Sequence, residues 1–312
     1  MYIKDKEKGV ILISVLLIVL VLSAIAMSIG NNFLLAFKRS IYQDLQTNSF
    51  ELFKNIESIS IKRIEEKNRF GSQALTKEDP LFKDTFYFEL PNGQLYAQIS
   101  DASNCLNINS VVSLSNKNYI QNPKGMASIK KLLLLKEFDE RDIDSLIDQM
   151  IDWIDIDNQP RQGGLEDYFY TGPLHTPQQY TSKRLFYDLS ELKNLPAWRK
   201  FNWNDIDKNL CSIPISGNSK VNINTLNIED SELLSSLLPN ATVKDAEAII
   251  ANIPQEGFVD ISQLVTEFPG VDFTKSDASI SFTSNLFSIK SEIAPRLTES
   301  FETALNLSDG IA

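Results

Sequence analysis

Six carboxylates crowd one short stretch of the chain: Asp148, Asp152, Asp155, Asp157, Glu166 and Asp167. Carboxylates at this density can share protons and do acid–base chemistry, hold a hard cation between their oxygens, or stand apart in water as a solvated loop. Read as a loop starting at Asp155, the segment offers oxygens at Asp155, Asp157 and Gln159, with Glu166 closing it. That spacing echoes a calcium-binding loop, but Pro160 stands where an EF-hand turns on glycine. A calcium site of another kind fits better, because anionic oxygens held close together repel unless a cation neutralises them. The competing reading is a solvated acidic loop with Arg161 as internal counter-ion. Acid–base catalysis lacks its companions: no nucleophile motif and no phosphate loop occurs in the sequence, and no enzymatic activity is expected.

Other chemistries are bounded by composition. One histidine, His175, and two cysteines, Cys105 and Cys211, are too few for a four-coordinate zinc site. A formal net charge of -11 argues against nucleic acid as a partner, since phosphate binding is driven by Lys and Arg. A protein, a peptide or a cation suits the chain better.

The elements that must position these groups are legible as a repeat. LNINSV (106–111) recurs as VNINTL (221–226), and FYDLSEL (186–192) recurs as FVDISQL (258–264). Short Asn, Ser and Thr side chains bond the free amides of a first helical turn, so both Asn-Ile-Asn runs are expected to be helix-entry turns. Asp188 and Asp260 are expected to cap helices that begin near Ser190 and Ser262. Each copy reads as a compact helical unit of the helix-hairpin-helix or SAM-like type, and the acidic stretch is an insertion in the first. Upstream, DTFYFEL (84–90) and QLYAQIS (94–100) flank Pro91-Asn92-Gly93 with alternating apolar residues, the pattern of a hairpin. Two strand-like segments near the C-terminus, 279–293 and 296–305, are expected to complete its sheet.

At the other end, a lysine-rich segment closes on Gly9, and Val10 to Ile29 follow without a charge. A helix of that length matches a bilayer core of roughly 30 Å. The lysines at 4, 6 and 8 put residue 1 on the cytoplasmic side. Apolar residues then recur at steps of three to five through Ile64, so one helix is expected from Val10 to about Lys67, amphipathic in its second half. An unprocessed signal-anchor is a second reading. A third is a cleaved signal peptide with Ala24-Ile25-Ala26 as its cleavage site.

A basic leader ending in glycine, then an apolar helix that turns amphipathic, resembles type IV pilins and pseudopilins. The run MIDWIDIDNQPRQGGLEDYFY (150–170), followed by FYDLSEL, LCSIP (210–214) and VNINTL, is similar in order and type to the K-type minor pseudopilins of type II secretion systems. The resemblance implies an α+β fold: a long N-terminal membrane-spanning helix on an antiparallel sheet, with a large inserted helical domain of two SAM-like units. The expected parts are a leader (1–9), the helix (10–67), strands (84–104), two helical units (105–219 and 220–275) and closing strands (276–312). It further implies prepilin cleavage between Gly9 and Val10. Ser14 then stands at the fifth mature position, where most pilins have glutamate. It implies an inner-membrane protein with a periplasmic body, partnered by I- and J-type minor pseudopilins and, further down, by the H-type and the major pseudopilin. Calcium is implied in the helical domain, carried here onto Asp155, Asp157, Glu166 and Asp167. The implied role is capping and initiating a short filament that exports folded proteins; the alternative is a tethered module that binds secreted substrate directly. In an oxidising periplasm Cys105 and Cys211 are expected either to pair or to be free buried thiols.

Overall fold

The computed structural model describes residues 6–69, 74–90, 93–202, 208–273 and 279–295. The chain divides into two units, Met1–Lys62 and Arg63–Ala312. In the first, every described residue belongs to helix α1 (Lys6–Arg69), whose 64 residues rise about 96 Å. No proline interrupts it. Leu12–Ser40 is the one span among the described residues long and apolar enough to cross a bilayer. Its large apolar side chains, Leu16, Ile18, Leu20 and Phe33 among them, are exposed, and water would penalise each of them.

After the last turns of α1, the second unit has a short helix α2 (Pro80–Lys83), capped by the Asp79 carboxylate on the Leu81 amide at 2.9 Å. Strands β1 (Phe86–Leu90) and β2 (Gly93–Asp101) form the expected hairpin, with Leu90 opposite Gly93; Pro91 and Asn92 lie outside the described residues. Side chains alternate across a strand, so Leu95, Ala97 and Ile99 all enter the core, while Tyr96 meets Tyr87 on the other face with ring centroids 5.5 Å apart.

The repeat predicted from sequence is a repeat in space. The first copy opens on β3 (Leu106–Asn107) and a tight turn at Ile108–Val111, followed by the hairpin β4 (Val112–Ser115) and β5 (Asn118–Gln121). It continues through helices α3 (Pro123–Leu135), α4 (Glu140–Ile154) and the one-turn α5 (Asp167–Tyr170). A capped turn at Leu189–Asn194 and strand β6 (Leu210–Cys211) finish it. The second copy has β7 (Val221–Asn222), a turn at Ile223–Thr225, helices α6 (Ser231–Leu237), α7 (Val243–Ala251) and α8 (Ile261–Glu267), then strand β8 (Ile280–Ser281). Each copy is closed by one parallel pair, β3 with β6 and β7 with β8. Strand β9 (Phe287–Pro295) then returns to β2, giving a three-stranded antiparallel sheet in the order β1-β2-β9.

The segment 279–293 therefore does not all enter that sheet. Its first residues pair with the start of the second copy, because Val221 and Asn222 offer an unpaired edge there. The strand expected at 296–305 lies outside the described residues.

The two Asn-Ile-Asn turns work alike. The first asparagine of each folds its side chain onto the amide two residues on, Asn107 to Asn109 and Asn222 to Asn224, both at 3.1 Å. The second reaches across the unit and pairs with a phenylalanine backbone as another strand would. Asn109 accepts from the Phe186 amide at 2.8 Å and donates to its carbonyl at 2.9 Å; Asn224 does the same with Phe258 at the same distances. Both asparagines are fully buried, so these bonds have no water to replace them. The aspartate two residues after each phenylalanine caps the next helix, Asp188 on the Ser190 amide and Asp260 on the Gln263 amide. Both copies share one core, and the Lys131 ammonium of α3 ties them by donating to the Leu238 and Ala241 carbonyls, each at 2.7 Å.

A candidate cation site at the end of helix α4

Helix α4 is started by Asp139, whose carboxylate accepts from the Arg141 amide at 2.9 Å. Its apolar face, Ile143, Leu146, Ile147, Met150 and Ile151, is buried. That orientation carries Asp152 inward as well, to 0% exposure, and leaves Asp155 as the C-cap. No basic residue sits in the last turn, so two carboxylates stand at the negative end of the helix dipole, the reverse of what a stable terminus prefers.

The following loop folds back over this end. The Arg161 amide donates to Asp152 Oδ2 at 3.1 Å, the Gly163 amide to Asp148 Oδ2 at 3.0 Å, and Gln149 Nε2 to the Gly163 carbonyl at 3.3 Å. Such an approach requires glycine: a Cβ on Gly164 would lie 1.9 Å from Asp152 Oδ2. Returning along this path, the chain sets Glu166 at the start of α5 with no cap bond from its side chain.

One oxygen each of Asp155, Asp157 and Glu166 then lie within 4.8 Å of one another. Glu166 is 1% exposed and neither of its oxygens accepts a hydrogen bond; Asp155 Oδ1, Asp152 Oδ1 and the buried Tyr170 hydroxyl are equally unpartnered. A buried polar atom without a partner costs about 1–3 kcal/mol, more when charged, and four such groups together need an explanation. The carboxylates show the strain in their affinities for protons. Burial, then repulsion from Asp157 and Asp152, pushes Asp155 up to about 7. Burial and the charges of Asp152, Asp155 and Asp157 push Glu166 up to about 7. Burial raises Asp152 to about 6 against the pull of Arg161.

Asp167 is not part of the group. Its Oδ1 accepts from the amide and the hydroxyl of Thr181, at 2.8 and 2.7 Å, and its Oδ2 lies 3.2 Å from Lys183 Nζ. Burial works against its charge, yet these bonds hold its carboxyl below the ordinary range. Gln159 is exposed, and its amide donates to Asp157 Oδ1 at 2.8 Å. His175 packs edge-on to Tyr170, with ring centroids 5.2 Å apart. The sequence groups Asp152 with the neighbouring acids and does not single it out as a member of the site. The available signal was its spacing of three from Asp155 on an amphipathic helix, which places both at one end of the buried face.

At the boundary of the same unit, Cys105 and Cys211 are bonded, with Cα atoms 5.7 Å apart and a sequence separation of 106. Gly9 and Val10 fall within α1. Ser14 is an exposed position in its apolar stretch.

Two family models, both described as type II secretion system (T2SS), protein K, match residues 104–215 and 221–283, which are the two copies of the Asn-Ile-Asn unit. Together they take in more than half of the chain. Type II secretion system protein K of Pectobacterium carotovorum subsp. carotovorum is 30% identical over 180 residues, 57% of this chain and 54% of that protein, so the match spans about half of that relative's length. A putative type II secretion system protein K of Escherichia coli (strain K12) is 24% identical over 261 residues, 82% of this chain and 77% of that one. Among solved structures, a chain of the GspK-GspI-GspJ complex from the enterotoxigenic Escherichia coli type 2 secretion system has a TM-score of 0.69 at 20% identity, covering 83% of this chain and 90% of that one. That likeness is one of fold. With each copy of its duplicated unit matched separately by the same family, the chain belongs to the type II secretion system protein K family.

Proposed function

We propose that the chain is a minor pseudopilin that caps and initiates a short periplasmic filament of the type II secretion system, and that it does so without chemistry of its own. The observation that carries this reading is the unbroken helix α1, charge-free from Gly9 through Phe37, on a chain whose two helical copies both match protein K. Such a rod can be held in lipid and laid beside the rods of sister subunits, while a bulky helical head blocks addition of a further subunit. In this reading residue 1 is cytoplasmic, cleavage falls between Gly9 and Val10, and the body is periplasmic. Ser14 leaves the fifth mature position without a carboxylate to compensate a neighbour's N-terminal ammonium, which suits a terminal subunit. The similar solved structure is a complex with GspI and GspJ, and subunits of the I and J type are the proposed partners here, followed by the H-type and the major pseudopilin.

Co-expression of the full chain with I- and J-type subunits, followed by detergent extraction and affinity capture, tests this. Both partners should be retained, and mass spectrometry should find a first residue of Val10. Capture of exported proteins without those partners would favour the tethered substrate-binding reading. A membrane-free product that begins after Ala26 would overturn both.

The acidic site is proposed to hold calcium. Support comes from the unpartnered oxygens: calcium takes six to eight oxygen ligands, Asp155, Asp157 and Glu166 converge, and Asp152 carries a further buried oxygen without a hydrogen bond. When bound, the ion supplies the positive charge that this helix end lacks. The chain's own residues do the rest: Asp148 and Asp152 pin the loop by its amides, and Asp167 fixes α5 through Thr181. Calcium chloride should raise the melting temperature of the full chain in detergent. Chelation, or the Asp155→Asn/Glu166→Gln double variant, should remove the gain.

A further inference from the structure

The Arg161 guanidinium is held oddly for a counter-ion. Its Nε lies 3.7 Å from Asp152 Oδ1, too far for a hydrogen bond, and neither atom has another partner. Arginine normally meets a carboxylate as a two-pronged fork, so a single long contact to a fully buried charge is a loose arrangement. The main chain of the same residue is tight: its amide donates to Asp152 Oδ2 and its carbonyl accepts from Gly164 at 3.2 Å. The backbone is thus anchored without help from the side chain. The side chain, 28% exposed, has a way out to water, and its Nη1 donates to Gln121 Oε1 on β5 at 3.1 Å.

The charge of this guanidinium reaches Asp152 and Asp155, and these two and Glu166 all carry buried oxygens that accept no hydrogen bond. From this geometry we infer that Arg161 is a built-in competitor for the cation. The site has two forms that each bring positive charge to it, one with the guanidinium drawn in against Asp152 and one with a divalent ion in place and the arginine swung outward. This inference rests on the calcium reading above. Like charges at a few ångströms repel strongly where water is excluded, so entry of the ion costs the energy of expelling the arginine. Departure of the arginine also strips Gln121 of its partner, which couples occupancy of the site to the β4–β5 hairpin.

The test is calorimetric titration of the full chain in detergent with calcium chloride alone, comparing wild type with Arg161→Gln. Removing the competitor should tighten calcium binding by about three- to tenfold, and the gain should shrink as salt is added. Amide hydrogen exchange in Asn118–Gln121 should respond to calcium in wild type and stay flat in the variant. Equal or weaker binding by Arg161→Gln would mean that the side chain only supports the loop, and would overturn the inference while leaving the calcium reading standing. Absence of binding by both proteins would overturn the calcium reading and this inference with it. Arg161→Lys is a second check, since it keeps the charge: it should bind calcium much as wild type does, and binding as tight as the glutamine variant would also overturn the proposal.

Discussion

The two copies of the helical unit differ in what lies between their second helix and their phenylalanine latch. In the second copy the chain passes almost directly from the end of α7 at Ala251 to Phe258, and its polar groups are met by caps and turns. In the first, everything from Asp155 to Arg184 is inserted between the end of α4 and Phe186. The latch survives that insertion without change, with Asn109 and Asn224 making the same pair of bonds at the same lengths. The unit is therefore a frame that tolerates a long excursion at one point. The excursion is where buried carboxylates without partners accumulate. Stability resides in the shared frame, and the capacity to bind resides in the part that only one copy has.

The covalent link gives the largest expected break in that comparison. Only the first copy has its ends joined by a disulfide; the second is closed by backbone bonds such as the Val221 amide on the Ser279 carbonyl at 3.0 Å. Replacing Cys105 and Cys211 by serine should cost about 2–5 kcal/mol on chemical denaturation, since the closed loop is long. Protease sensitivity should rise in the first copy and not in the second.

Next in size is the latch. Asn109→Ala and Asn224→Ala should each cost about 2–4 kcal/mol, because each strips a buried phenylalanine amide and carbonyl of their partner. Equal losses would support one frame used twice. A loss confined to Asn224 would mean that the insertion carries the first copy by itself.

The pH dependence belongs to the first copy alone. Asp155 and Glu166 have folded-state pKa values raised to about 7, above those of an unfolded chain. Acids raised on folding bind protons more readily when native, so their contribution to stability is full below about pH 4 and is lost as pH rises through about 7. Chelated protein should thus melt at a higher temperature at pH 5 than at pH 8. Asp155→Asn/Glu166→Gln should flatten that slope.

Much of this molecule is written locally. The apolar helix, the alternation in 84–100, the paired Asn-Ile-Asn turns and the aspartate caps each depend on residues within a few positions of one another, where period and hydrogen-bonding reach decide the outcome. Tertiary structure decided the rest. Only folding could divide 279–293 between β8 and β9, because pairing depends on which edges lie nearby. Only folding could choose among six neighbouring carboxylates, turning Asp167 to Thr181 and Lys183 while drawing Asp152 and Glu166 out of water. In sequence those six groups are equivalent acids, and desolvation, which no spacing of residues encodes, is what separates them.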